Sequence, residues 1–160
     1  MPTLREPTQR VSPRARTMWL LGAAVEAAVS FAVLLVVAYV WSPFDVRWWV
    51  PVIVGAAMAA YVIVVPAWKY AVHRWEVTET AVYTQTGWWS RERRIAPLSR
   101  IQTVDYAEGA VERLFRLASV TVTTASAAGA VEIGGLDRDL ALRLVSELTI
   151  KADSEPGDAT

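Results

Sequence analysis

At 160 residues, 54% hydrophobic and only 20% charged, the chain has room for one small domain and carries more apolar mass than a soluble domain of that size. Sixteen basic and sixteen acidic side chains cancel, so no global basic field points to nucleic acid. With no cysteine and a single histidine, His73, the sequence offers no disulfide, thiolate site, His-rich metal centre or His-centred triad, and no cofactor motif stands out.

Residues 1–17 hold Pro2, Pro7 and Pro13 among Thr, Ser, Gln and Arg, without apolar periodicity. The expectation is a disordered basic tail, in which four Arg stand against Glu6 for a local balance of +3. From Met18 to Val40 only Ser30 and Glu26 interrupt an apolar run, and residues 48–68 carry no charge. At ~1.5 Å per residue each run can cross a hydrocarbon core of about 30 Å. The remaining ~80 residues could not wrap two helices that are apolar on every face. A cleaved signal peptide does not fit either, because the first run is long and a second follows it.

Residues 18–69 therefore read as a transmembrane hairpin, with spans at 18–40 and 48–68 and a tight turn from Trp41 to Arg47. Trp19, Trp41, Trp48, Trp49, Trp68 and Tyr70 fall at the two water boundaries, the level amphipathic rings prefer. Four Arg flank the first span and Lys69 and Arg74 follow the second, whereas the turn has only Arg47 beside Asp45. Positive-inside then places both termini in the cytoplasm and the protein in the plasma membrane. Small residues, Gly22, Ala23, Ala27 and Gly55, Ala56, Ala59 among them, suit close approach of the two helices.

After Trp68 the period changes to short β-type runs: 72–77, 81–87, 92–95, 101–106, 119–124 and 130–133. Gly134-Gly135 reads as the end of the last one, and Glu112 to Phe115 as a single helical turn. Asp137 then caps an amphipathic helix with Leu140, Leu144, Val145 and Leu148 on one face. The acidic residues 151–160 read as a second disordered tail. Six antiparallel strands and one closing helix make residues 70–150 an α+β domain, a bent sheet or small barrel capped by the helix.

The spaced segments Arg74-Trp75-Glu76-Val77-Thr78, Arg93 to Val104, Arg113 to Val120 and Ile133-Gly134-Gly135-Leu136 resemble the YdbS-like bacterial pleckstrin-homology family of membrane proteins. The two preceding spans match that family's layout. The resemblance implies a pleckstrin-homology-like (PH-like) fold of two sheets, seven strands and a C-terminal helix, and it implies no catalytic residues. Arg116 stands where the family often has Gly before Leu-Ala.

Two groups of residues are candidates for function. Glu26 is the one ionisable side chain deep in a span, at a cost on the order of 2.5–3.5 kcal/mol at mid-membrane. It is to be paired, with Tyr61 at the same depth on the second span, or to face a partner's helix, or to serve a proton or ion role. The second group, Trp88, Trp89, Arg91, Arg93 and Arg94, mixes an aromatic pair with three cations. It reads as a solvated hairpin or as an interfacial contact with lipid headgroups, anionic ones included. The second strand returns to the level at which the chain leaves the bilayer, which favours the interface. The expected partners are the lipid bilayer and another membrane protein or a second copy, with no nucleic acid. The function expected is a non-enzymatic, membrane-anchored interaction or assembly module. A lipid-sensing module at the inner leaflet, or a membrane enzyme or transporter subunit using Glu26, are the alternatives.

Overall fold

The computed structural model describes residues 6–41, 46–87, 90–125 and 129–154. Helix α1 (Pro13–Val36) begins at Ser12, whose hydroxyl accepts the Arg14 N–H at 3.3 Å, with Pro13 pre-set for the first helical position. It continues as a π-helical turn, Val37–Trp41, and α2 (Trp49–Val72) returns beside it. Both helices are long and apolar enough to cross a membrane. Gly55 is one point of close approach, since a Cβ there would already lie 3.4 Å from the Phe31 ring.

The rest forms two antiparallel sheets. One has four strands in the order β1 (Gln9–Arg10), β2 (Arg74–Val77), β3 (Ala81–Thr86) and β4 (Glu92–Pro97). A short 3-10 turn at Leu98–Arg100 leads to the other, β5 (Ile101–Ala107), β6 (Leu117–Thr124) and β7 (Val131–Asp137). Helix α3 (Ala110–Leu114) joins β5 to β6, and α4 (Arg138–Ser154) closes the sandwich. Val82, Leu98, Leu117, Val120, Val122 and Leu136 fill the centre, and α4 adds Ala141, Leu144 and Leu148. Those three recur at helical spacing, so the amphipathic stripe seen in the sequence is the stripe that packs. The fold class is as expected: an apolar helix pair followed by a PH-like sandwich with a C-terminal helix.

The expected disordered tail needs correction. From Glu6 onward the segment is built into the domain, and it supplies the seventh strand that the six β-type runs lacked. Gln9 pairs with Trp75 and Arg10 with Arg74 across β1 and β2. Val11 is buried among the sheets, and so is Ala15 in the first turn of α1. One buried Val contributes about 1.5–3 kcal/mol, and the pairing with β2 and the Ser12 bonds to Gly135 and Asp137 add to it, so a short segment with no periodicity of its own is held. Pairing with a sheet edge depends on strand β2, some 65 residues away, so local pattern carries no trace of it.

Two further expectations change. Gly134-Gly135 does not end β7: it is a bulge, since the partners of Ala118 and Val120 are Leu136 and Ile133. Gly135 sits at φ +74°, a left-handed conformation that glycine adopts without penalty. Arg116 adopts φ +54°, the same region, so the position where the resembling family often has Gly keeps a Gly-like turn with an arginine in it. At the far end, α4 runs on to Ser154, four residues past the expected boundary at 150.

Candidate functional site

The place where sheets and long helices meet is assembled from three stretches of chain. The first is the strap from Glu6 to Ser12. Its Thr8 N–H donates to Glu76 Oε2 at 3.0 Å, and its Ser12 N–H donates to the carbonyl of Gly135 at 2.9 Å. The bulge in β7 frees that carbonyl from the ladder, and its missing Cβ makes room: an added one would lie 2.8 Å from Ala15 Cβ. Ser12 Oγ donates to Asp137 Oδ1 at 3.0 Å, and Arg14 reaches the same oxygen at 3.4 Å.

The second stretch is the end of α2. Lys69 Nζ lies 4.4 Å from the centre of the Trp19 ring, a cation–π contact between the two helices at their base. The Trp19 and His73 rings are 5.1 Å apart and tilted by 59°. His73 Nδ1 lies 3.1 Å from the Lys69 carbonyl. Burial pushes the His73 imidazole below its ordinary pKa, and repulsion from the Lys69 ammonium adds to it, while the carbonyl contact offsets part. His73 is therefore neutral at pH 7, a packing ring that holds the base of the hairpin.

The third stretch is the open edge of both sheets. With the helix bases it forms a half-open cavity of about 690 Å³, lined by Met18, Trp19, Tyr61, Lys69 and His73 on the helix side and by Arg94, Glu112, Ser119 and Glu132 on the sheet side. Glu132 is close enough to attract the Lys69 ammonium. Glu112 is committed: its two oxygens accept the Gly109 N–H at 2.9 Å and the Ser119 hydroxyl at 2.8 Å. Cations and carboxylates are mixed across the walls, so the cavity favours neither net sign. Among the described residues no group of three His, Asp or Glu could hold a metal ion.

The residues singled out from the sequence are distributed around this junction. Trp88 and Trp89 lie outside the described residues. Their neighbour Gly87 lines the same cavity as Tyr61 of α2. The three arginines after it are engaged with protein. Arg93 donates to Glu6 at 2.7 Å and to Gln85 at 2.9 Å, and Arg91 lies 3.9 Å from Glu6. Arg94 pairs with Glu92 at 2.6 Å and donates to the Ala130 carbonyl at 2.9 Å. Their charge is spent largely on the strap and the sheet edge, which leaves a weaker headgroup patch than the raw run of arginines suggests.

Glu26 and Tyr61 are not brought together. Tyr61 lines the 690 Å³ cavity, whereas Glu26 is exposed on α1 and lines a second groove of about 610 Å³. That groove runs beside Gly22, Ala23, Val65, Pro66 and the start of α3. Equal depth along two helices does not fix the rotation of each, and the two side chains open into adjoining but separate grooves. Sequence reasoning also missed the Trp19–Lys69–His73 cluster, whose members come from opposite ends of the hairpin. Ser12-Pro13 is the one local signal that was present and points to the docked helix start.

A family model described as Bacterial PH domain matches residues 20–149. The UPF0699 transmembrane protein YdbS of Bacillus subtilis (strain 168) is 28% identical over 125 residues, covering 76% of this chain and 79% of that protein. No solved structure matches the chain.

Proposed function

The chain is a membrane protein of the bacterial PH domain family, and on that premise we propose that it acts without catalysis, as a membrane-anchored assembly module whose groove beside α1 receives a helix of another membrane protein or of a second copy. The observation that carries this reading is Glu26. Within a span of apolar side chains it faces outward, into a groove floored by the small residues Gly22 and Ala23. A carboxyl exposed to hydrocarbon is costly, and a partner helix that brings a donor or a cation removes that cost. Small residues on the groove floor let its backbone come close. Both chain ends lie on the cytoplasmic side in this reading, supported by the four arginines before α1 and by Lys69 and Arg74 after the second span.

The test is a photoreactive residue at Gly22 in the full chain, illuminated in membranes and extracted gently. The expected result is a discrete adduct with a second copy or another membrane protein. Glu26→Leu should remove it while the protein still inserts, and Glu26→Gln, which keeps a hydrogen-bonding group, should retain it. An adduct indifferent to Glu26→Leu would refute the proposal. A second reading, recognition of a lipid headgroup, is favoured by the 690 Å³ cavity, whose mixed Lys69, Arg94 and Glu132 walls suit a zwitterion better than an anion.

A further inference from the structure

Helix α3 and the turn after it carry apolar side chains that the sandwich leaves bare. Leu114 is 82% exposed and Val111 56%. Those values match side chains on the long helices that face outward, such as Val25 and Ile63, each at 64%. The place of α3 in the molecule explains them. Its residues Ala110 and Val111 line one groove with Gly22, Ala23, Val65 and Pro66, all of them inside the apolar runs of α1 and α2. Leu114 and Arg116 share another concavity with Arg14 and Thr17, just before the first apolar run begins. Depth therefore decreases along α3, from Val111 to Leu114.

We propose that Ala110–Arg116 is a second membrane contact: Val111 and Leu114 enter the leaflet that surrounds α1 and α2, and Arg113 and Arg116 meet its anionic headgroups. The occupant of this face is the bilayer because the face is continuous with the surface of two helices that already stand in it. The cations are placed to serve. Among the described residues Arg113 pairs with Glu108 at 4.0 Å, the outer limit of an ion pair, and Arg116 is exposed and makes no ion pair. A cation near an anionic surface is attracted by it, and the attraction decays within a Debye length. Arg116 also holds φ +54°, where glycine would fit without strain, so the arginine side chain is present at a conformational cost. Val111 lines the groove that Glu26 also lines, where a partner helix would cover it, whereas Leu114 and Arg116 lie in the other concavity and meet the bilayer whether or not a partner is seated.

The chain has no cysteine, so one introduced thiol is unique. Val111→Cys, Leu114→Cys and, on the far turn, Glu79→Cys would each carry an environment-sensitive fluorophore in the full chain. The proteins are reconstituted in phosphatidylcholine vesicles with and without phosphatidylglycerol. Expected are blue-shifted emission and quenching by lipid-borne nitroxides at 111 and 114, deeper at 111, with water-like emission at 79. Phosphatidylglycerol should increase the shift at 114, and high salt or Arg113→Gln with Arg116→Gln should cancel that increase. Emission at 111 and 114 as water-like as at 79, in both lipids, overturns the insertion. A phosphatidylglycerol response that survives loss of both arginines overturns their headgroup role. All three labelled positions are exposed, so the substitutions spare the core.

Discussion

Replacing Gly135 by alanine should unlock the junction between strap, α1 and the β7 bulge. Two costs add. At φ +74° a residue with a Cβ loses roughly 1–2 kcal/mol in the left-handed region. The new methyl would also stand 2.8 Å from Ala15 Cβ, where carbon atoms prefer about 3.5–4.0 Å. Ala15 is fully buried in the first turn of a capped helix, so it can retreat only by moving α1, and such overpacking costs about 1–3 kcal/mol. The sum, roughly 2–5 kcal/mol, is a large part of the 5–15 kcal/mol that a domain typically holds. Thermal and denaturant unfolding in mild detergent reads the loss. Trypsin cleavage at Arg10 and Arg14 reads release of the strap. Gly134→Ala and Gly22→Ala are controls, since at 134 the nearest atom to a Cβ is the Glu132 carboxylate at 3.6 Å and at 22 there is nothing within 4 Å. Adding Ala15→Gly to Gly135→Ala should restore the part due to overlap and leave the backbone part. A Gly135→Ala protein as stable and as protease-resistant as Gly134→Ala would refute the close-approach argument.

Ser12→Ala removes the cap of α1 and the hydrogen bond to Asp137, and should cost about 1–2 kcal/mol in the same unfolding assay. The His73 pKa is lowered on folding, so the unfolded chain takes up that proton first as pH falls from its ordinary value near 6.5. Stability should therefore be full above that value and decline as pH drops through the lower folded-state value, and His73→Gln should flatten this part of a melting-temperature profile. For topology, an alkaline-phosphatase fusion at residue 45 should be active and one at residue 160 inactive. The reverse pattern would place the sandwich on the other side of the membrane.

The hairpin was legible because an uninterrupted apolar run is a property of adjacent residues. The strands of the sandwich were legible for a similar reason: alternation at Ile101 to Tyr106 or Ser119 to Thr124 repeats every second residue. The junction is different. Val11 is a lone apolar residue between polar neighbours, and its burial is decided by β2 and β7. Ser12-Pro13 did carry the signature of a helix start, but three prolines among polar residues matched a tail equally well. Gly134-Gly135 marked a break in regular structure, and only the register with β6 shows that the break is a bulge inside the strand. At Glu26 the apolar run sets the depth and leaves the azimuth open. Trp19, Lys69 and His73 meet only after the hairpin has closed.

The bond from Ser12 to Asp137 spans 125 positions, and this has a bearing on biosynthesis. At about 5–20 residues per second, some 6–25 seconds separate the emergence of the two partners. Within that interval the helix pair is made and β2 emerges to offer β1 an edge, while Val11 and Ser12 still wait for β7. The strap thus leaves the ribosome ahead of every element it binds and is among the last segments to find its place. Translation must pass β7 before the strap can lock fully, so a chain truncated ahead of residue 131 would present the helix pair with the strap still open to proteases.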